Sequence, residues 1–320
     1  STGGEIVILD GTYNITATIT VNKNNVTLTG NGAATILLRS ASFLNVVLLL
    51  SVTGCAIRNL TINGNKTTYT AASNGINIGS SSDNAITGNI CNNSSSGIYI
   101  TSSYSSGNII TGNICNNNSV GINLYAANNN AITGNTCNNN STGINLNPSS
   151  NNTVTGNTCN NNTNGMFLHS DSDTITSNAC NNNSTGIYLD SFTNGLVTGN
   201  VCNSNSSYGI FVLASSSDNT ITGNTCNDNA SGIYLGASSG NAITGNTCNN
   251  NTNYGIYLGS SNGTVTGNTC ICGTGQTSDY TSSQYTILTI AHAFNNVIVG
   301  NNIMGKNYVD NGTNNTWANN

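Results

Sequence analysis

The stretch "ITGNTCNNN" (132–140) recurs letter for letter at residues 243–251. With its near-copies it occurs nine times, and the copies start at Ile86, Ile110, Ile132, Val154, Ile175, Val197, Ile221, Ile243 and Val265. Successive starts lie 21 to 24 residues apart, most often 22. A fixed period of this length indicates a repeat architecture in which each repeat stacks on the last one.

A second motif, glycine followed by alternating apolar residues, interleaves with the first, as in "GIYL" at residues 186–189 and 232–235. Each repeat therefore holds three short apolar-alternating runs separated by Asn, Gly and Ser, a pattern typical of strands. A β-sandwich does not need a fixed period, whereas a solenoid does. The sequence predicts an all-β, single-domain, right-handed parallel β-helix with coils of about 22 residues, stacked ~4.8 Å apart.

The repeat divides the predicted β-helix into three parts. Residues 1–54 form N-terminal coils, residues 55–270 form the regular repeats, and residues 271–320 form irregular C-terminal coils or a terminal segment.

The repeat also carries a family resemblance. "GIYLGASSGNAITGNTCNNN" (232–251) resembles the β-helix repeat of NosD-type and pectin-lyase-like proteins, which is common in secreted and cell-surface proteins of archaea and bacteria. The opening "GGEIVILDGTYNITATITVNKNNVTLTGNG" (3–32) resembles the usual first coils of that superfamily. The resemblance covers most of the chain and implies the fold. It leaves the function open, because this fold hosts lyases, hydrolases, adhesins and structural proteins.

Composition favours a location outside the cell or at the cell surface. Only 5% of the residues are charged and the net charge is −5, which excludes a nucleic-acid-binding surface. The longest apolar run, "FLNVVLLLSV" (43–52), is too short to span a membrane. The chain begins with Ser1, which fits a removed signal peptide.

The cysteine of each repeat is expected to point inward. Alternation across "ITGNTC" places nine cysteines in one interior column: Cys91, Cys115, Cys137, Cys159, Cys180, Cys202, Cys226, Cys248 and Cys270. The flanking coils are expected to continue it with Thr61 and Met304. Close packing of small free thiols, a disulfide ladder between coils and soft-metal binding all remain open. NosD-type proteins are linked to copper, but a chain with two His and two Met does not carry that role over, so no metal or cofactor is expected.

The asparagines are expected to line the corners. Asn tolerates the left-handed backbone of tight turns, and stacked Asn side chains can hydrogen-bond from coil to coil. Both the "NNN" run and the Asn of "TGN" are predicted to turn the chain.

The outward position of the "GIxL" motif is aromatic in five consecutive coils. These residues are candidates for a subunit interface or a sugar-stacking surface: Phe167, Tyr188, Phe211, Tyr234 and Tyr257. A segment of the chain folding over them is the third alternative. An exposed column of this kind forms an apolar patch.

One acidic cluster stands out in a chain with ten acidic residues. His169, Asp171, Asp173 and Asp190 fall on neighbouring coils and form a weak candidate cation site. Because no Arg or Lys accompanies them, no catalytic residue is assigned.

These patterns predict a non-enzymatic extracellular structural protein that self-associates into a surface filament, sheath or layer. Its partners would be further copies of itself and, secondarily, surface polysaccharide. The sequence shows no helix that would cap a coil end, so both ends of the β-helix are expected to take part in assembly. The alternative is a carbohydrate-binding or carbohydrate-cleaving protein of the pectin-lyase-like type.

Overall fold

The computed structural model describes residues 3–213, 215–272, 284–305 and 308–320, and all the regular secondary structure in these ranges is β-strand. The chain divides into two compact units, Ser1–Cys159 and Asn160–Asn320. Both are parallel β-helices, which confirms the predicted fold class.

The first unit contains fifteen strands in its described residues. They are β1 (Gly4–Val7), β2 (Gly11–Ile15), β3 (Ile19–Val21), β4 (Val26–Arg39), β5 (Asn45–Leu50), β6 (Ala56–Asn63), β7 (Asn74–Gly79), β8 (Ala85–Thr87), β9 (Ile90–Asn92), β10 (Ser96–Thr101), β11 (Ile109–Thr111), β12 (Val120–Tyr125), β13 (Ala131–Thr133), β14 (Thr142–Leu146) and β15 (Thr153–Thr155). One sheet has the order β1-β4-β6-β8-β11-β13-β15, and the other has the order β3-β5-β7-β10-β12-β14.

The second unit repeats this plan. Its strands are β16 (Asn164–Leu168), β17 (Thr174–Thr176), β18 (Thr185–Leu189), β19 (Leu196–Thr198), β20 (Tyr208–Val212), β21 (Thr220–Thr222), β22 (Ser231–Leu235), β23 (Ala242–Thr244), β24 (Tyr254–Leu258), β25 (Thr264–Thr266), β26 (Thr269–Ile271), β27 (Tyr285–Thr289), β28 (Val297–Val299), β29 (Asn302–Met304), β30 (Val309–Asp310) and β31 (Thr316–Ala318). The sheets run β17-β19-β21-β23-β25-β28-β31 and β16-β18-β20-β22-β24-β27-β30, with a short β26-β29 pair.

The third run of each repeat is shorter than the sequence suggests. In most coils it is a single bridged residue, for example Val201 paired with Thr225 and Thr225 with Thr247. Left-handed residues flank this run closely in the chain: Gly223 has a φ of 62° and Asp228 a φ of 57°. The chain turns so soon on either side that this run holds at most three strand residues, as in β9 (Ile90–Asn92) and β26 (Thr269–Ile271).

The corners are confirmed, but the "TGN" asparagine has a different part from the one predicted. The left-handed residue of "TGN" is the glycine, as at Gly223, because glycine has no Cβ to clash in that conformation. The asparagine that follows, Asn224, is buried inside the coil. In the "NNN" run, too, one residue makes the turn and the next is buried: Asn250 has a left-handed φ of 55°, and Asn251 is buried inside the coil.

The buried asparagines form ladders that tie each coil to its neighbours. The Asn224 side-chain amide donates to the carbonyl of Val197 at 2.9 Å and to Oδ1 of Asn246 at 3.0 Å. Its own Oδ1 accepts from the backbone N–H of Asn200 at 2.9 Å. Leaving such a buried polar group without partners would cost roughly 1–3 kcal/mol. The ladder therefore holds successive coils in one register.

A glycine column explains why a residue as small as cysteine recurs in the interior. A Cβ added at Gly209 would lie 2.6 Å from the carbonyl oxygen of Gly232 and 2.9 Å from Cβ of Cys226. The glycine of the "GIxL" motif thus lets the next coil approach its backbone and lies directly against the cysteine column. A side chain larger than a thiol has little room there.

Gly209→Ala is expected to lower the free energy of unfolding by about 1–3 kcal/mol, because the added methyl group overpacks a contact made with backbone. The control is Gly79→Ala, where the nearest atoms to an added Cβ are 3.8 and 3.9 Å away. Urea denaturation of both variants measures the difference. Equal stability of the two variants would contradict the close approach at Gly209.

Candidate functional site

The predicted cysteine column is present and fully inside the coils. All nine members are buried, and none of the eleven cysteines, all of which lie in the described ranges, belongs to a disulfide. The expectation for the flanking coils is wrong by one residue: Cys91 pairs in register with Ile62, not with Thr61, and Cys270 pairs with Ile303, not with Met304. A shift by one residue turns a strand side chain to the opposite face, and Met304 is accordingly 49% exposed.

Five of the column thiols have a raised pKa: Cys91, Cys115, Cys202, Cys226 and Cys270. Hydrogen bonds with Cys226 and Cys270 instead lower the pKa of Cys248 to about 5. Hydrogen bonding to Cys115, followed by burial, raises the pKa of Cys91 well above its ordinary value of 9.0. Hydrogen bonds to Cys202 and Cys248, followed by burial, do the same to the pKa of Cys226. Buried thiols that hydrogen-bond to one another fit the packing interpretation of the column.

Raised thiol pKa values predict a protein that is destabilised by alkali. Unfolded thiols ionise near pH 9 while the five buried thiols with a raised pKa stay protonated, so these five release protons on unfolding above that pH. The stabilisation is complete below the unfolded pKa and declines as pH rises toward the folded pKa, by about 1.4 kcal/mol per pH unit per thiol.

Urea midpoints between pH 7.5 and 9.5 measure this slope, and a Cys202→Ala, Cys226→Ala double variant should show a shallower slope than the native protein. Alkylation under denaturing, non-reducing conditions should modify eleven thiols. A pH-independent midpoint would contradict the raised pKa values, and a count reduced by disulfides would contradict the free thiols.

The five predicted outward aromatic residues form one continuous ladder, all in the second unit. The register pairs Phe167 with Tyr188, Tyr188 with Phe211, Phe211 with Tyr234 and Tyr234 with Tyr257. Neighbouring ring centroids lie 5.1, 5.0, 5.4 and 4.0 Å apart along the series. In-register stacking thus converts a repeat position into a row of touching rings.

The ladder is half-buried rather than fully exposed as the sequence suggested, because its rings cover one another. Tyr234 and Tyr257 are stacked with an interplanar angle of 5°. Desolvation by burial and then a hydrogen bond to Tyr257 raise the pKa of Tyr234. The phenols therefore remain protonated hydroxyl groups.

A second row of tyrosines runs beside the ladder and was not picked out from the sequence as a row. Tyr208, Tyr254 and Tyr285 occupy the strand position three residues before the ladder position, and Ser231 stands at that position between Tyr208 and Tyr254. The small serine opens a cleft of ≈ 220 Å³, called here the Ser231 notch. The notch is lined by Ser206, Ser207, Tyr208, Ala230, Ser231, Tyr234, Asn253 and Tyr254.

The predicted acidic cluster comes together only in part. Nδ1 of His169 lies 3.6 Å from Oδ2 of Asp190, as the coil alignment predicted. Thr193 donates a hydrogen bond to Asp171, and Ser170 donates one to Asp173, which is buried. Within the described ranges, no three His, Cys, Asp or Glu side chains are grouped so that they could hold a metal ion.

The His169–Asp190 pair adjoins the aromatic ladder. Two causes raise the pKa of Tyr188: desolvation by burial is the larger, and the negative charge of Asp190 is the smaller. The pair therefore lies beside the Tyr188 end of the ladder.

The chain belongs to the NosD family, whose description is "Periplasmic copper-binding protein (NosD)". The family matches residues 18–202 and 149–320, which confirms the resemblance of the repeat. A search of curated protein sequences finds no match. Over the described residues, no helix is long and apolar enough to cross a membrane.

Solved structures with the same β-helix include several proteins that act on carbohydrate. The A-module of the Azotobacter vinelandii mannuronan C-5 epimerase AlgE4 is 16% identical, with a TM-score of 0.72 over 98% of this chain and 91% of that one. A tailspike protein variant of the E. coli bacteriophage HK620, in complex with a pentasaccharide, is 14% identical, with a TM-score of 0.74 over 98% and 73%. The catalytic domain of a GH87 α-1,3-glucanase is 13% identical, with a TM-score of 0.53 over 97% and 61%.

The expectation that the chain is not an enzyme is wrong in the light of these structures. It rested on the scarcity of charged residues, yet an epimerase module and a glucanase catalytic domain share the β-helix. At 13–16% identity the likeness shows a common fold, and the chemistry must be argued from this chain's own side chains.

The copper of the family's description does not fit the described side chains. Met166 is fully buried and Met304 is exposed on a different strand. Among the described residues, no three His, Cys, Asp or Glu side chains are grouped so that they could hold a metal ion. The column thiols hydrogen-bond to one another along the column, as Cys91 does to Cys115 and Cys226 does to Cys202 and Cys248, rather than converging on one point.

Proposed function

We propose that the chain is a carbohydrate-acting β-helix protein that works outside the cytoplasm and binds polysaccharide on the aromatic face of its second unit. This aromatic face comprises the ladder from Phe167 to Tyr257 and the neighbouring row of Tyr208, Tyr254 and Tyr285. The continuous row of rings in register is the observation that carries the proposal.

The two units supply an internal comparison. They share coils, cysteine column and asparagine ladders, but the ladder position of the first unit holds Asn77, Tyr99, Asn123 and Asn145 on successive coils. Asn123 and Asn145 hydrogen-bond to each other at 2.8 Å. Folding therefore does not require aromatic residues at this position. Rings that the fold does not need are well suited to binding, since aromatic side chains combine a large apolar surface with a polar hydroxyl group.

The His169–Asp190 pair is the candidate group for chemistry on a bound sugar. Histidine is the side chain best suited to gain or lose a proton near neutral pH, and a carboxylate beside it orients the imidazole and stabilises its charged form. In this proposal His169 transfers a proton at the sugar, and Asp190 positions it.

Assembly into a filament or sheath has weaker support. It relied on an exposed aromatic column, and the rings instead bury much of their surface against one another. Carbohydrate-acting proteins among the similar structures favour recognition of glycan over a structural role. The family's description as periplasmic supports a location outside the cytoplasm.

The native protein is expected to be retarded in native gels that contain a polysaccharide ligand. Replacing Tyr188, Phe211 and Tyr234 together with Ser should abolish the retardation, because it removes the centre of the ladder. The matched control is Asn123→Ser with Asn145→Ser, which changes the same strand position in the first unit and should bind normally. Thermal melts establish that both variants are folded. Absence of retardation by every polysaccharide tested would contradict the proposal.

Loss of the acid–base pair is expected to separate turnover from binding. His169→Asn should abolish the release of new reducing ends from a bound polysaccharide, while gel retardation stays unchanged. Asp190→Asn should reduce turnover less, since it removes the positioning group only. Full turnover in His169→Asn would exclude this residue from the chemistry.

A further inference from the structure

We infer that the Ser231 notch is a binding subsite for an uncharged sugar unit, so that the polysaccharide recognised by this chain is neutral rather than a polyuronate. This inference rests on the proposed function and names the class of ligand for it.

The notch is built by the repeat itself. Tyr208, Ser231 and Tyr254 are register partners on three successive coils, so the two tyrosines are separated by twice the coil spacing, about 10 Å. Ser231 between them is buried and forms the floor. Omitting one tyrosine from the row leaves a gap of one coil between Tyr208 and Tyr254, and the resulting cleft of ≈ 220 Å³ has room for one sugar ring.

The walls are held in place by further rings. Tyr208 stacks on Phe211 with centroids 4.5 Å apart and an interplanar angle of 13°. Tyr254 faces Tyr285 at 6.0 Å and 23°. Tyr208 also meets Tyr234 edge to face at 5.1 Å. Walls fixed by packing lose little conformational freedom on binding, which favours a preformed site.

The lining offers hydroxyl and amide groups without charge. Ser206, Ser207 and Asn253 stand at the rim. Desolvation by burial is the largest cause that raises the pKa of Tyr254 and that of Tyr234, so both phenols keep their protons. Hydroxyl groups that both donate and accept are the natural partners of sugar hydroxyl groups, and the rings cover the apolar face of a sugar.

Charge decides against an acidic glycan. From Asn160 to Asn320 the sequence holds seven Asp, no Glu, no Arg and a single Lys, Lys306, so the formal charge of this unit is 1 − 7 = −6. Lys306 lies outside the described residues. Carboxylates are recognised in proteins chiefly by Arg and Lys, and like charges across an interface are unfavourable. A polyuronate chain on the aromatic face would meet the carboxylate of Asp190 and, within the described part of this unit, no cationic Lys or Arg to offset it.

The test compares neutral and acidic polysaccharides on the intact protein. Native affinity gels at low ionic strength would contain soluble starch, mixed-linkage β-glucan, galactomannan, alginate or polygalacturonate. Retardation is expected with at least one neutral polysaccharide and with neither polyuronate. Ser231→Tyr should weaken the neutral interaction at least tenfold, because it fills the notch with the residue that neighbouring coils already carry.

The control is Thr142→Tyr, the same change at the equivalent strand position of the first unit, which should leave binding intact. Stronger retardation by a polyuronate would overturn the inference while upholding the proposed function. Neutral binding that survives Ser231→Tyr in a folded variant would overturn the notch as the subsite. No retardation by any of the five polysaccharides would overturn both.

Discussion

The buried side-chain amides of asparagine fix the register on which the rest of the structure depends. In the ladders, a side-chain amide donates to a carbonyl in one neighbouring coil and to an amide oxygen in the other, as Asn224 does with Val197 and Asn246. A coil that slipped by one residue would break these bonds and turn its apolar side chains outward. Register is therefore strongly specified, although the chain is poor in charge and rich in small polar residues.

Fixed register makes any outward repeat position into a straight row. The interior rows are constrained: glycine and cysteine columns face each other so closely that neither tolerates much change. The outward rows are free to vary, and the two units use this freedom differently. Asparagine fills the ladder position in part of the first unit, whereas aromatic rings fill it through most of the second. Side chains in the outward rows can thus change without altering the packing inside the coils.

The sequence predicts the fold well because a fixed period is a direct record of coil length. It also predicts the inward phase of the cysteines and the pairing of His169 with Asp190. It fails where geometry depends on neighbours in space. The glycine of "TGN" turns the chain, and the asparagine that follows it is buried instead. Its side-chain amide hydrogen-bonds to both neighbouring coils in the ladder.

The candidate site shows the same limit. Aromatic residues at the ladder position can be counted in the sequence, but mutual covering of their rings cannot. The Ser231 notch arises because one coil lacks the tyrosine found at the same position one coil before and one coil after, and an alignment of Tyr208, Ser231 and Tyr254 would have shown it. Scarcity of charge pointed to an inert scaffold, yet the similar structures include enzymes that act on glycans. A small number of charged residues excludes only those catalytic mechanisms that need several charged side chains in one site.

A crystal structure of the protein with a neutral oligosaccharide tests the central claim most directly, namely that coil register creates a sugar site from outward aromatic rows. The account predicts a sugar ring between Tyr208 and Tyr254 above Ser231. The hydroxyl groups of the sugar should be hydrogen-bonded to the side chains of Ser206, Ser207 and Asn253 at the rim of the notch. An oligosaccharide bound instead on the first unit, or on a face of the second unit remote from these rings, would contradict it.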